Sequence, residues 1–394
     1  MATRPILSGL LRANIPRLNA VSLTNTTTTT LPISNRLTFS FSTPHTKTRT
    51  MATSTTLPET MRTLLQASRT STEVISTTHP VPTPSHPDDV LVRVHAAAPC
   101  AGELLWAINF PESVPPGKVM VPCQDLAGSV ITAPRDSGFA PGDRVYCRID
   151  AGRAGAAREY ALPRASELAK IPASLGWVEG AATPLSALTA WQALFDQGTL
   201  DAKGIKGDAA ARERNGKIRV LVTGAGGGVG GWVVQLAARA GAKAVVAVCG
   251  TDKEEAVRKL GATEVVDYTK TSLEGWVAAD PASHEVDLVV EMVGGKTLTG
   301  CWSAVKEGGA MVCINSPPES GKPEGMKKEL AKALFFIVKP LGSNLAEISE
   351  LIEAGHVRPT VDSVWEFEDF KKAFARVESG HAKGKVIIKL SDEA

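Results

Sequence analysis

The sequence predicts an α/β protein of two parts, a unit of short strands broken by Pro and Gly and a doubly wound parallel sheet. Three observations carry this. Residues 219–253 (RVLVTGAGGGVGGWVVQLAARAGAKAVVAVCGTDK) pass from an apolar run at Val220, Leu221 and Val222 into a glycine-dense turn. A helical pattern with Val229, Val233, Leu236 and Ala237 on one face follows, then a second apolar run from Ala244 to Val248, which together make a strand–turn–helix–strand unit. Beyond it, short apolar runs at Val265-Val266, Leu288–Val290, Met311–Ile314 and Phe335–Val338 alternate with helical stretches, as βαβ units of a parallel sheet do. Before it, residues 60–186 hold short strands broken by Pro and Gly, such as Val90–Val94, Gly128–Ile131 and Arg144–Cys147.

The glycine turn carries chemistry as well as shape. Placed between a strand and a helix, the glycines of Gly224 to Gly230 let the backbone approach a pyrophosphate. The helix that follows then offers that anion its free N–H groups and a partial positive charge. A flexible loop between two ordinary elements is the plain alternative. We read the motif as dinucleotide-binding, with Ala225, Gly227, Gly228, Val229 and Gly230 against the cofactor.

The remaining stretches fit around this unit. Residues 184–195 start the helix that leads into the parallel sheet, residues 370–378 form a helix, and residues 386–390 form a strand. Residues 198–217 (GTLDAKGIKGDAAARERNGK) are polar and longer than a typical connection, and read as a solvated surface loop or, alternatively, a docking or regulatory loop. Ligands of such folds bind outside the carboxyl ends of the sheet strands, in the cleft between the two parts.

Bulk properties exclude other classes. The 394 residues suffice for two domains with their own cores, and a net charge of +2 gives no nucleic-acid footprint. No run reaches the roughly 18 apolar residues that a membrane span needs. Six cysteines (100, 123, 147, 249, 301 and 313) contain no C-x-x-C pair, so reduced, buried thiols are expected. Residues 1–58 contain no Asp or Glu, are crowded with Ser and Thr, and carry Arg4, Arg12, Arg17, Arg36, Lys47 and Arg49. Residues 1–18 place Ile6, Leu7, Leu10, Leu11 and Ile15 with basic residues in an amphipathic pattern, the composition of a mitochondrial presequence. Residues 1–50 are therefore read as a presequence, cut between residues 35 and 50 to leave a matrix protein; a disordered tail is the alternative. Initiation at Met51 would give a cytosolic form with the full fold.

The phrase TGAGGGVGGWVVQLA resembles the zinc-independent quinone oxidoreductase branch of the medium-chain dehydrogenase/reductase superfamily. PGDRVYCR (141–148), AREYALP (157–163), LAKIPASLGWVEGAATPLSALTAWQAL (168–194), VDLVVEMVGG (286–295) and GKVIIKL (384–390) stand in that family's order. The resemblance runs from about residue 57 to the C-terminus. It implies a GroES-like β-barrel substrate domain of residues 56–186 and 341–394, and a doubly wound Rossmann cofactor domain of residues 187–340. It also implies a small-molecule substrate, and it is compatible with a homodimer.

Within that resemblance the cofactor and metal positions are informative. The second strand of the cofactor domain ends Val248-Cys249-Gly250-Thr251, without the acid that bonds an NAD ribose. Thr251 and Lys253 suit a 2′-phosphate, and Tyr268 follows the third strand, where the family sets a tyrosine against the adenosine phosphate. NADPH is thus favoured over NADH, with Asp252 as the dissenting residue and Gly250, Val293 and Asn315 further along the cofactor. Catalytic zinc needs three protein ligands and water. The family's ligand positions fall on Cys100, on the Cys123-Gln124-Asp125 phrase and on Leu185, a set expected to hold no zinc. Cys100, Gln124, Asp125 and Thr189 are the candidate substrate-side residues. No proton donor is assigned, since residues 101–121 contain no tyrosine of the kind enoyl-thioester reductases use there.

The resulting expectation is an NADPH-dependent, zinc-free reductase of a quinone or α,β-unsaturated carbonyl. A mitochondrial enoyl-thioester reductase is the enzymatic alternative. A nucleotide-binding scaffold or redox sensor is the non-enzymatic one.

Overall fold

The computed structural model describes residues 57–391. The expected presequence, its cleavage region and Met51 lie outside the described residues. Fifteen strands are described: β1 (Thr60–Gln66), β2 (Val74–Pro80), β3 (Leu91–Ala98), β4 (Asp125–Thr132), β5 (Arg144–Arg148), β6 (Tyr160–Ala161), β7 (Leu168–Lys170), β8 (Arg219–Val222), β9 (Ala244–Cys249), β10 (Glu264–Asp267), β11 (Val286–Glu291), β12 (Val305–Cys313), β13 (Lys332–Phe335), β14 (Val361–Trp365) and β15 (Lys385–Lys389). They build a two-stranded ribbon (β1-β2), a seven-stranded sheet (β14-β15-β3-β4-β5-β7, with β6 beside β3) and a six-stranded sheet (β10-β9-β8-β11-β12-β13).

In the six-stranded sheet every pairing is parallel, and its first strand, β8, lies between the second and the fourth. This is the Rossmann order, and it leaves a switch point between β8 and β11. Each of β8, β9 and β11 is almost wholly buried, which is why they read as apolar runs without alternation. The helix Gly228–Ala240 follows β8 and buries Val233, Leu236 and Ala237 against the sheet, while Gly241 at φ 87° ends it in a left-handed cap. The other sheet is the GroES-like part. Its pairings are antiparallel apart from β14 with β15, and its last two strands return from the far end of the chain to lie beside β3.

Two expectations need correcting. Residues 198–217 are not simply a solvated loop: Ala202–Gly204 forms a helical turn and Ala209–Asn215 a helix capped by Asp208. Leu200, Ile205 and Ala211 are buried, and fully buried Asn215 bonds Asp201 and the Ala240 carbonyl, so polar side chains here serve the interior. This segment and the end of helix Gly228–Ala240 line a groove of about 250 Å³ with Arg212, Arg239 and His356. The apolar run at 335–338 is also displaced: β13 covers Lys332–Phe335, no residue of it is fully buried, and Ile337 is 43% exposed. An edge strand has only one neighbour, so apolar composition there does not imply burial.

Candidate active site

The site grows from the turn after β8. Gly224 has φ 58°, a left-handed conformation natural to glycine, and its carbonyl oxygen would collide with any Cβ on Gly230. A Cβ on Gly226 would likewise strike the Lys253 side chain, which lies across the turn. Gly227 is the N-cap of the following helix and no side chain caps it, so its first N–H groups are free for an anion. Ala225 is fully buried and its N–H bonds the Val248 carbonyl, which ties the turn to β9. Backbone space, free donors and dipole all fit a dinucleotide pyrophosphate.

Around this cradle the adenosine side is open. Tyr268 is 65% exposed, and its hydroxyl approaches the space above Gly250. Thr251 does not present a free hydroxyl: it donates to Asp267 at 2.5 Å, while Thr269 and Lys270 bond the same carboxylate. These bonds hold the Asp267 carboxyl well below its usual range. Asp252, the residue expected to favour NADH if it turned inward, is instead exposed and paired with Lys383 at 2.9 Å. Lys253 reaches the Ala382 carbonyl at 3.4 Å. On the other flank, fully buried Glu291 accepts from the Val293 and Gly294 N–H groups, and Asn315 bonds the Val293 carbonyl at 2.9 Å. Thr223 accepts from the Met292 N–H, joining β8 to β11 where the strand order reverses.

The GroES-like sheet closes the site from the opposite side. Asp125 opens β4 with no solvent access; its Oδ1 accepts from the Leu185 N–H at 2.6 Å and its Oδ2 meets the Lys385 ammonium at 2.9 Å. Lys385 opens β15, is itself buried, donates to the Pro99 carbonyl at 3.2 Å and runs its stem past Gly228. Burial opposes the Lys385 charge, but its acidic neighbours, Asp125 foremost, together outweigh it and hold the lysine above its ordinary range. The next residue after Pro99 is Cys100, half-buried, whose thiol burial pushes up to about 11 despite Lys385, so it is a neutral thiol at physiological pH.

Glu103 completes the cluster. Its Oε2 accepts from the Cys123 N–H at 3.1 Å, and Cys123 has φ 63°, unique to it among the described non-glycine residues. The residue is half-buried, but Oε1 is sealed from solvent and has no hydrogen-bond partner. Burial raises this carboxyl to about 8. Gln124, the residue after Cys123, is half-buried.

Of the substrate-side residues expected from the sequence, Cys100 and Asp125 come together around Lys385. Thr189 is buried and spends its hydroxyl on the Leu185 carbonyl within its own helix. The sequence reading missed Lys385 and Glu103. For Lys385 there was half a signal: a charged residue at the end of an otherwise buried strand asks for a partner, though the sequence does not say which. The donor set does not suit zinc. Leu185 offers no ligand, and the Asp125 oxygens are already engaged by the Leu185 N–H and Lys385. Among the described residues no group of three His, Cys, Asp or Glu side chains has metal-binding geometry.

Comparison with known proteins agrees with this architecture. Residues 86–173 match the alcohol dehydrogenase GroES-like domain and residues 260–388 match the zinc-binding dehydrogenase family. The chain is 42% identical over 343 residues to an Arthroderma benhamiae protein named "Probable zinc-binding oxidoreductase, mitochondrial", covering 86% of this chain and all of that one. It is 31% identical to the Arabidopsis thaliana chloroplast envelope quinone oxidoreductase homolog, covering 78% of this chain and 92% of the relative. The chain belongs to the quinone oxidoreductase branch of the medium-chain dehydrogenase/reductase superfamily. This oxidoreductase is also 32% identical to the Mus musculus NAD(P)H oxidoreductase RTN4IP1, mitochondrial, over 77% of its length and 82% of that protein. Its fold superposes on the Coxiella burnetii quinone oxidoreductase with a TM-score of 0.68 at 21% identity, covering 84% of this chain and all of that structure. As an enzyme of this family it uses a nicotinamide cofactor, which the glycine cradle accommodates.

Proposed function

We propose that this enzyme transfers hydride from NADPH, without zinc, to a quinone or an α,β-unsaturated carbonyl. The observation that carries the reading is the Asp125–Lys385 pair. It stands among the positions where the family's zinc enzymes place ligands, and it engages the Asp125 carboxylate there. A zinc ion would polarise a simple ketone or hold an alkoxide. The residues here supply fixed charges and a dry wall instead, so the acceptor must be electron-poor and able to delocalise the incoming charge. Bound nicotinamide supplies the hydride; the chain supplies orientation and water exclusion.

The preference for NADPH rests on Lys253 across the glycine turn and on the lack of an acid at the end of β9. The engagement of Thr251 by Asp267 leaves Lys253 as the principal phosphate ligand in this reading. The substrate domain comprises residues 56–186 and 341–394, facing a cofactor domain of residues 187–340. The mature enzyme resides in the mitochondrial matrix, consistent with the names of two of its relatives and with the acid-free leader. A fusion of residues 1–50 to a reporter tests this directly; a reporter that stays in the cytosol refutes it. A crotonyl thioester assayed beside a small quinone separates this reading from an enoyl-thioester reductase.

A further inference from the structure

Arg148 ends β5 as the cross-strand partner of Asp125. It is 4% exposed, yet its Nε and Nη1 have no hydrogen-bond partner, and it forms no ion pair among the described residues. Its neighbours explain why. Asp125 is engaged by Lys385 and the Leu185 N–H. Glu167, the other buried acid in range, is paired with Arg153 and accepts from the Asp150 and Arg164 N–H groups. Asp150 is exposed and bonds the Gly152 N–H. A guanidinium cannot lose its proton at physiological pH, so Arg148 keeps its charge there, balanced by Asp150, Asp125 and Glu167 from a distance while its Nε and Nη1 go unbonded. Arg148 also acts electrostatically on Cys100, the half-buried residue of the substrate side. A buried, unpartnered guanidinium lowers stability, and a chain keeps one where an incoming group pairs with it.

We propose that Arg148 receives the carbonyl oxygen of the acceptor and holds the negative charge that reduction places on it. This deepens the function proposed above and rests on it. In the step, a C–H bond forms at the acceptor's electron-poor carbon as the cofactor's C–H bond breaks. The π electron pair moves onto the carbonyl oxygen, which becomes an enolate or hydroquinone oxyanion beside Arg148. A proton from solvent then completes the product.

The test compares Arg148→Met and Arg148→Lys with the wild type. Loss of one preorganised donor to an oxyanion costs about 100-fold in kcat, so Arg148→Met should lose about that factor in kcat on a small enone. Its NADPH affinity should stay within about twofold, and its Tm should rise because an unpaired charge has been removed. Millimolar guanidinium should restore part of the activity of Arg148→Ala. An Arg148→Met enzyme that keeps kcat/KM within about threefold overturns the proposal; so does lost activity with a lowered Tm and no guanidinium rescue, which marks a structural role. Binding of 4-nitrophenolate to NADP+-loaded protein, followed by tryptophan fluorescence, is independent of turnover. It should weaken at least about tenfold in Arg148→Met. Equal phenolate affinity in both proteins sinks the Arg148 role, whereas phenolate binding that needs Arg148 without turnover of any quinone or enone sinks only the broader reading.

Discussion

Asp125 and Lys385 open two strands of one sheet, β4 and β15, that are far apart in the chain, and their charged groups meet at 2.9 Å with almost no access to water. The Leu185 N–H donates to Asp125 and the Pro99 carbonyl accepts from Lys385, so the pair links four segments of the site. Breaking one side of a buried pair leaves an uncompensated charge and costs about 3–5 kcal/mol. Asp125→Asn and Lys385→Met should each destabilise the protein by about that much, and the double variant by clearly less than the sum. Urea unfolding of the three variants checks this; additive losses would mean that the charges are not coupled.

The turn after β8 gives a sharper, steric prediction. A methyl group at residue 230 meets the Gly224 carbonyl and the Ala225 Cα, both backbone atoms that cannot move without opening the turn. Gly230→Ala should therefore lower affinity for either nicotinamide by at least about tenfold, a cost of about 1.4 kcal/mol. Isothermal titration with NADPH and NADH measures it, and unchanged affinity would show that the turn does not cradle the cofactor.

Cofactor choice is separable from that cradle. Lys253 lies across the turn and Asp252 is turned away toward Lys383. One charge-assisted hydrogen bond is worth about 1.5–3 kcal/mol. Lys253→Ala should weaken NADPH by about tenfold or more and leave NADH nearly unchanged, as read from the two dissociation constants. Equal losses for both cofactors would refute the assignment.

How far the sequence reveals this molecule depends on the range of the interactions. The glycine turn, β8, β9 and the helix Gly228–Ala240 are local: their residues pack on or bond to near neighbours, so periodicity and turn chemistry predict them. Helix Phe370–Glu378 was legible for the same reason, with Phe370, Phe374 and Val377 on one buried face. The Asp125–Lys385 pair was not legible, because only the return of β15 to β3 brings its members together. The segment 198–217 misled because the polar Asn215 side chain satisfies backbone groups of Asp201 and Ala240 rather than water. Phe335 and Ile337 misled because an edge strand leaves apolar side chains partly exposed.

Glu103 gives a pH signature. Its carboxyl moves from an ordinary 4.5 to about 8 through burial. Between those values the folded protein keeps a proton that the unfolded chain has released, so stability attributable to this group falls as pH rises and the loss is complete above about pH 8. Glu103→Gln removes the effect while its amide oxygen still accepts from the Cys123 N–H. The Tm difference between variant and wild type should grow in favour of the variant from pH 4.5 to 8.5. A difference that does not change with pH would place the carboxyl in water.

The central claim is a zinc-free hydride transfer to an electron-poor acceptor, and one experiment addresses it most directly. Purified enzyme is dialysed against a weak chelator, its metal content is measured, and NADPH oxidation is followed with a 1,4-quinone, an enone, a crotonyl thioester and a simple aldehyde; alcohol oxidation is assayed with NADP+. The account predicts far less than one zinc per chain, clear turnover of the quinone or the enone, and almost none of the aldehyde or of ethanol. About one zinc per chain together with robust alcohol oxidation would contradict it.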